Sequence, residues 1–331
     1  MSTSRESRIL IIGAGCAKVS FLVRPHRQQD LERPQLLYCY DDDQLKEYSD
    51  YFVITNPSAI LEAAYDVIIV TLDGAVLQSQ EGQSLVKTIG DAVRGTDTKV
   101  LLGGVFFDSR HWFLRCSGLK DDQVANGSLG FVAYGPQAVT LPIHPPTDEN
   151  LLAKADVAYT DCTGAGFVLE DSIPSFSSSF AALYNRCGVS TCVVRPHMES
   201  ALTIYPLFAL FAAFELMGWP EFEDIDTNSP LWTLATAAFR EIQALSVNGE
   251  AGRQGSQATT AEGLAGMLRG LGEKLLPLDL QAFFRYHHGG KVKNQDHMLL
   301  QGCISQGDSE GRPLPAVQKL LYAAEHDGAG L

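Results

Sequence analysis

Arg8-Ile9-Leu10-Ile11-Ile12-Gly13-Ala14-Gly15-Cys16-Ala17-Lys18-Val19-Ser20-Phe21-Leu22-Val23-Arg24 opens the chain's first structural unit. Ile9 to Ile12 is a short apolar β-branched run ending in Gly-Ala-Gly, as a buried parallel strand does when it enters a phosphate-binding turn. Val19 to Val23 reads as a second strand. Arg24, His26 and Arg27 follow it, where guanidinium groups would hold a 2′-phosphate. Only residues 13 to 18 separate the two strands, and a crossover between parallel strands takes about a dozen residues or more. A normal first helix does not fit, and Lys18 stands at or beyond the place of the third glycine of the phosphate-binding fingerprint. Two explanations are open. Either a stretch of about fifteen to twenty residues is lost through exon loss or a gene-model error, or the first unit is remodelled.

Outward from this stretch the pattern is that of a doubly wound α/β domain. Tyr65 to Leu72 and Lys99 to Gly104 read as further buried strands, with an amphipathic helix over Ser84 to Val93 between them. Asp41 to Tyr48 reads as a short acidic helix. From Gly127 to Val168 short strands at Leu129 to Tyr134, Val157 to Thr160 and Phe167 to Leu169 add antiparallel strands to the sheet, around a loop holding Pro142, Pro145 and Pro146. A helix over Phe176 to Arg186 and a last strand over Val189 to Val194 close the domain. Beyond Arg195-Pro196 the chain reads as helices over 197–217, 229–247, 260–271, 278–286, 291–305 and 315–325, with Gly249 to Gln257 as a polar loop. The expected fold class is therefore a Rossmann-like doubly wound sheet over 1–195, its first crossover helix missing or remodelled, followed by an all-α domain over 196–331.

The length and 45% hydrophobic content allow a core in each domain. A net charge of −14 argues against nucleic acid or an anionic membrane as main partner. The first residues carry no apolar signal core, and Ala201 to Phe214, the most apolar stretch, is too short to span a bilayer, so a cytoplasmic protein is expected. Seven scattered cysteines without a Cys-x-x-Cys pair fit reduced thiols and give no zinc site. The apolar helices are compatible with a homodimer formed through the second domain.

The Gly-x-Gly turn, the basic residue after the second strand, the antiparallel closure and the helical second domain together resemble the ketopantoate reductase (2-dehydropantoate 2-reductase) family, over about residues 8 to 325. The resemblance implies a two-domain NADPH enzyme that reduces a 2-oxo acid in the cleft between domains. It implies Gly13 and Gly15 at the pyrophosphate and Arg24 at the 2′-phosphate, beside which Arg27 stands as a second candidate by its place after the second strand. The departures are specific. The lysine that protonates the ketone falls on His197 and the substrate asparagines on Ala201 and Tyr205. The substrate-binding acid falls near Lys291. The lysine and asparagine after later strands fall on Asp73 and on Gly103 or Gly104. Ketopantoate is thus not the expected substrate.

Reduction of a ketone or imine needs a proton donor beside the reacting heteroatom. His197 opens the second domain and is the first candidate. The run Tyr286-His-His-Gly-Gly-Lys-Val-Lys-Asn-Gln-Asp296 is the second, with Gly289-Gly290 expected to break one helix and start the next. Lys291 would then grip a carboxylate or enolate at a helix N-terminus while His288 moves a proton. A solvated surface turn is the plain alternative for the whole run. Three functions remain in view: an NADPH-dependent reductase of a ketone or imine other than ketopantoate; a non-redox cyclase or isomerase using His197, His288 and Lys291; and a catalytically silent truncated homologue with an uncovered sheet face.

Overall fold

The structure is a computed structural model and describes residues 9–12, 19–161, 164–186, 188–196, 202, 204–326 and 328. The chain divides into two compact units, one of residues 1–138 and 148–195, the other of residues 139–147 and 196–331. The loop that carries Pro142, Pro145 and Pro146 thus belongs with the second unit. There Ile143 bridges to Leu278, and His144 Nε2 lies 3.0 Å from Asp279 Oδ2.

The first unit holds a sheet of strands β1 (Ile9–Ile12), β2 (Val19–Leu22), β5 (Tyr51–Ile54), β6 (Val67–Val70), β7 (Lys99–Leu102), β8 (Val124–Leu129), β11 (Phe167–Glu170) and β12 (Cys192–Arg195), in the order β12-β11-β8-β7-β6-β1-β2-β5. From β5 to β8 every pairing is parallel; β11 runs antiparallel to β8 and β12 parallel to β11. β1 and β2 pair in parallel, with Ile9 opposite Val19. The two strands are neighbours although only residues 13 to 18 join them.

A second sheet, β4-β3-β10-β9, is built from β3 (Gln35–Cys39), β4 (Gln44–Tyr48), β9 (Val132–Tyr134) and β10 (Val157–Thr160). The acidic helix expected over Asp41 to Tyr48 is instead the second half of a hairpin. β3 and β4 pair from Gln35↔Tyr48 to Cys39↔Gln44, and Asp43 takes a positive φ of 53° in the turn. Cross-strand pairing overrides the helix-forming run Gln-Leu-Lys-Glu. The strand expected over Leu129 to Tyr134 is two: β8 ends at Leu129 in the large sheet, and β9 pairs with β10 in the small one.

Side chains alternate across the large sheet, as strand geometry requires. Ile68, Val70, Val100 and Leu102 face one side, where Val86, Ile89 and Val93 of α3 (Gln80–Val93) and Phe113 of α4 (Ser109–Ser117) cover them. Two short helices, α1 (Gln28–Leu31) and α2 (Gly74–Gln78), precede these, and α5 (Glu149–Leu152) follows them. Val19, Phe21, Val67, Ile69 and Leu101 face the other side, where a first crossover helix normally lies. That face is not left bare: Val19, Phe21, Val67 and Ile69 are 2%, 4%, 6% and 7% exposed. They share one apolar cluster with Phe176 and Phe180 of α6 (Pro174–Asn185), with Tyr48, Tyr51 and Tyr184 packed at its margin. Phe176, Phe180 and Tyr184 fall four residues apart and form one stripe of the helix. Each buried aromatic contributes about 1.5–3 kcal/mol.

The second unit contains α7 (Leu207–Met217), α8 (Pro230–Gln243), α9 (Gly249–Ala258), α10 (Ala261–Leu275), α11 (Leu280–Tyr286), α12 (Lys293–Ser309) and α13 (Pro315–Glu325). Residues 249–257, expected as a polar loop, form α9. Its Gly252 lies where a Cβ would meet Gln243 O at 2.3 Å, so glycine here serves a close helix contact. α7 is nearly all buried and carries Phe208, Phe211 and Phe214 into the core. No described helix is long and apolar enough to cross a membrane.

Candidate functional site

In an open α/β sheet, ligands sit beyond the carboxyl ends of the strands where the winding reverses. Here the chain leaves β1 toward β2 and β5 and returns from β5 to β6, on the other side of β1. The reversal therefore falls between β1 and β6. Gly13 and Gly15, at the end of β1, lie outside the described residues. After β2, Arg24 leads into a turn over Pro25–Arg27 in which Arg27 N–H donates to Arg24 O at 2.9 Å. Arg24, His26 and Arg27 are all exposed there, and Arg27 Nε lies 3.3 Å from Asp30 Oδ2.

The ends of β6 and β7 are closed by packing. Gly103 N–H donates to Val70 O at 2.8 Å, and a Cβ on Gly104 would meet Leu72 O at 2.3 Å. Asp73 caps α2, accepting from Val76 N–H at 2.8 Å. For an NADPH-like group the fit is divided. Two exposed guanidinium groups suit a 2′-phosphate, whereas the residues between β1 and β2 are too few for the helix whose N-terminus normally faces the pyrophosphate.

In the second unit the expected helix break at Gly289-Gly290 is a π turn, His287–Lys291, set between α11 and α12. Val292 N–H donates to His287 O at 2.8 Å. The extra residue follows from a close contact: a Cβ on Gly289 would lie 2.9 Å from the Trp219 indole, and Trp219 itself holds a positive φ of 60°. Single π turns of this kind recur at functional sites. The turn swings His288 inward. Its ring stacks on Phe211 at 3.6 Å between centroids and 11° between planes, with Phe208 and Phe284 edge-on. His288 Nδ1 and Asp296 Oδ2 are 2.8 Å apart, within hydrogen-bond distance. Burial pushes His288 down to about 3 and Asp296 up to about 8, so in this apolar setting the pair is held as neutral imidazole and carboxylic acid at neutral pH. His287, stacked on Phe283, is also pushed down to about 3, first by burial and then by the neighbouring His288 and Lys291, which oppose a second positive charge there. His287 Nδ1 and Asp296 Oδ1 are buried without a hydrogen-bond partner among the described residues.

One turn further on, Glu215 of α7 accepts from His297 Nε2 at 3.2 Å and pairs with Lys293. Burial raises its pKa, but these two partners outweigh it and hold the carboxyl below its usual range. Glu215 and His297 were not among the sequence candidates. The available signal was a lone carboxylate closing the apolar stretch 201–214, which cannot be buried without a partner. The structure brings His288 together with Asp296 and leaves Lys291 exposed at the end of the same turn. Lys291 therefore does not stand at the free helix N-terminus expected for it. His197 lies outside the described residues. Among the described residues no three His, Cys, Asp or Glu side chains form a metal-binding group.

Comparison with known proteins places the fold. Over 97% of this chain and 99% of the other, it superposes on 2-dehydropantoate 2-reductase from Geobacter metallireducens with a TM-score of 0.63 at 15% identity. The Methylococcus capsulatus 2-dehydropantoate 2-reductase matches over 96% of each chain, with a TM-score of 0.60 and 14% identity. A D-mandelate dehydrogenase solved with NADH matches over 98% of this chain and 99% of its own, at a TM-score of 0.63 and 11% identity. No protein-family model and no curated protein matches the chain.

Proposed function

We propose, from the fold that the chain shares with the ketopantoate reductase structures over almost its whole length, that it is an NADP(H)-dependent reductase of a ketone or imine other than ketopantoate. The observation that carries the reading is the retained winding reversal between β1 and β6, with the exposed basic turn Arg24–Arg27 following the neighbouring strand.

A bound nicotinamide cofactor supplies the hydride; the protein's share is binding and proton supply. Arg24 and Arg27 hold the 2′-phosphate through charge-assisted hydrogen bonds. His197 remains a donor candidate by its place at the head of the second domain. His288 is the other: as its Nε2 gives up a proton to the substrate heteroatom, the proton of the Asp296 carboxyl settles on Nδ1 and keeps the ring neutral. Phe208, Phe211 and Phe284 pack around this imidazole, and such neighbours would favour an apolar or aromatic substrate over a small branched hydroxy acid. Lys291 offers a cation to a substrate carboxylate.

The test is turnover. NADPH absorbance is followed against a panel of aliphatic and aryl 2-oxo acids, ketones and cyclic imines, with His288→Ala beside the parent chain. Substrate-dependent oxidation by the parent and its loss in the variant are expected. Absence of oxidation across the panel by a folded protein that binds NADPH would contradict the reductase reading.

A further inference from the structure

We infer that the helical unit carries a further small-molecule site, for a short-chain carboxylic acid whose carboxylate sits between Arg240 and Arg312. The inference is independent of the reductase reading. A cavity of about 320 Å³ opens between α8, α9 and the segment that leads into α13, at the small end of the range for ligand-sized cavities, about 300–1,000 Å³. Ala237, Arg240, Glu241 and Ala244 come from one face of α8 and its end. Ser256 comes from α9, and Arg312, Pro313 and Leu314 from the leading segment. None of these belongs to the π turn or to its partners on α7 and α12, so the two sites have no residue in common.

Both guanidinium groups are fixed, and neither is neutralised. Arg240 Nε donates to Ser256 O at 2.7 Å and Arg312 Nη1 to Ala244 O at 2.7 Å, which ties down each fork through one of its several N–H donors. Both side chains are exposed, so a solute reaches them. Among the described residues no carboxylate lies within 4.0 Å of either group, in a chain with 39 acidic side chains against 25 basic ones. Glu241 shares the cavity but spends its carboxylate on the start of α13, accepting from Ala316 N–H at 3.0 and 3.1 Å and from Val317 N–H at 3.1 Å. Glu310, whose carboxyl feels the Arg312 charge, accepts from Ser246 and Gln306 instead. The cavity is therefore net positive whatever the protonation state of Glu241. Two planar forks suit a carboxylate, whereas a phosphate dianion would also meet Glu241. Ala237, Ala244, Pro313 and Leu314 supply an apolar wall for a short hydrocarbon body.

The probes are n-butyrate, its uncharged isostere n-butyramide, and inorganic phosphate. Binding to the full chain is followed by saturation-transfer NMR on the ligand methyl group, phosphate being read by its displacement of butyrate. A charge-assisted hydrogen bond is worth about tenfold in affinity or more. Saturable butyrate binding is expected, with butyramide and phosphate weaker by about tenfold or more, and with Arg240→Gln and Arg312→Gln each weakening butyrate by a similar factor. Arg253→Gln, on α9 outside the cavity and paired with Glu250, should leave it unchanged. Where thermal unfolding shows that a glutamine variant does not fold, Arg240→Lys and Arg312→Lys keep the charge and lose the fork, and weaker butyrate binding is expected of them too. Butyramide or phosphate binding as well as butyrate, butyrate binding kept in both arginine variants, or no butyrate binding by the folded chain would each overturn the inference. None of these results touches the reductase reading, which is tested on NADPH.

Discussion

The junction of β1 with β2 and the junction of α11 with α12 both depart from the regular succession of elements, one by its short length and the other by insertion. At the first, the sequence is too short for a crossover helix, and the sheet face such a helix would cover lies in one apolar cluster with the aromatic stripe of α6, far along the chain. The charges stay outside: Arg24 and Arg27 are exposed. At the second, an added residue makes a π turn, and the polar groups go inside, His288 against Phe211 and Asp296 behind it. Shortening a sheet connection moves apolar burden onto a remote element. Lengthening a helix rotates side chains into the core and displaces their proton equilibria.

The largest expected effect concerns the repaired sheet face. Phe180→Ala, at the centre of the α6 stripe, should destabilise the chain by about 3–5 kcal/mol in denaturant unfolding. A loss under about 1 kcal/mol would mean that α6 does not do the covering, and the comparison would lose its first half.

Next is the pH dependence of the second junction. Asp296 is raised in the fold, so its contribution is lost as pH climbs from the ordinary carboxylate range to about 8. His287 and His288 are lowered from 6.5 to about 3, so theirs are lost as pH falls through that window. Below pH 6.5 the carboxyl offsets one of the two histidines. Above it only Asp296 remains, and stability should fall by about 2 kcal/mol between pH 6.5 and 8, at about 1.4 kcal/mol per unit. Asp296→Asn should flatten that decline in thermal unfolding measured across the range; an unchanged decline would assign it elsewhere.

The smallest effect sharpens the first junction. Asp73→Asn retains an N-cap for α2 while removing the charge at the end of β6, and should raise NADPH affinity by about 0.2–1 kcal/mol, at most roughly fivefold. A fall in affinity would show that the carboxylate contributes to binding.

The sequence made the parallel core readable, because β1 and β6 are continuous apolar runs and β7 is one after Lys99, of the kind buried on both faces. It also made the missing crossover readable, as a matter of length. The β3–β4 hairpin was not, since Gln44 to Glu47 are helix formers whose strand state is set by a partner. Helix α9 was hidden by glycines that serve helix contact rather than loop freedom, Gly252 against Gln243 above all. In the site, the run from Tyr286 to Asp296 stood out as a polar block. Gly289-Gly290 suggested a break because the contact that makes a glycine necessary, with Trp219, is remote in sequence. Glu215 and His297 could be paired only once α7 and α12 were packed together.

The central claim, that this shortened unit still takes a 2′-phosphorylated nicotinamide nucleotide, is tested most directly by fluorescence titration of the chain with NADPH, with NADH and Arg24→Ala as controls. Saturable micromolar binding of NADPH, weakened about tenfold or more in Arg24→Ala and absent with NADH, is the predicted result. A folded chain that binds NADPH no better than NADH, or equally well without the Arg24 guanidinium, would contradict it and turn attention to non-redox chemistry around His288 and Asp296.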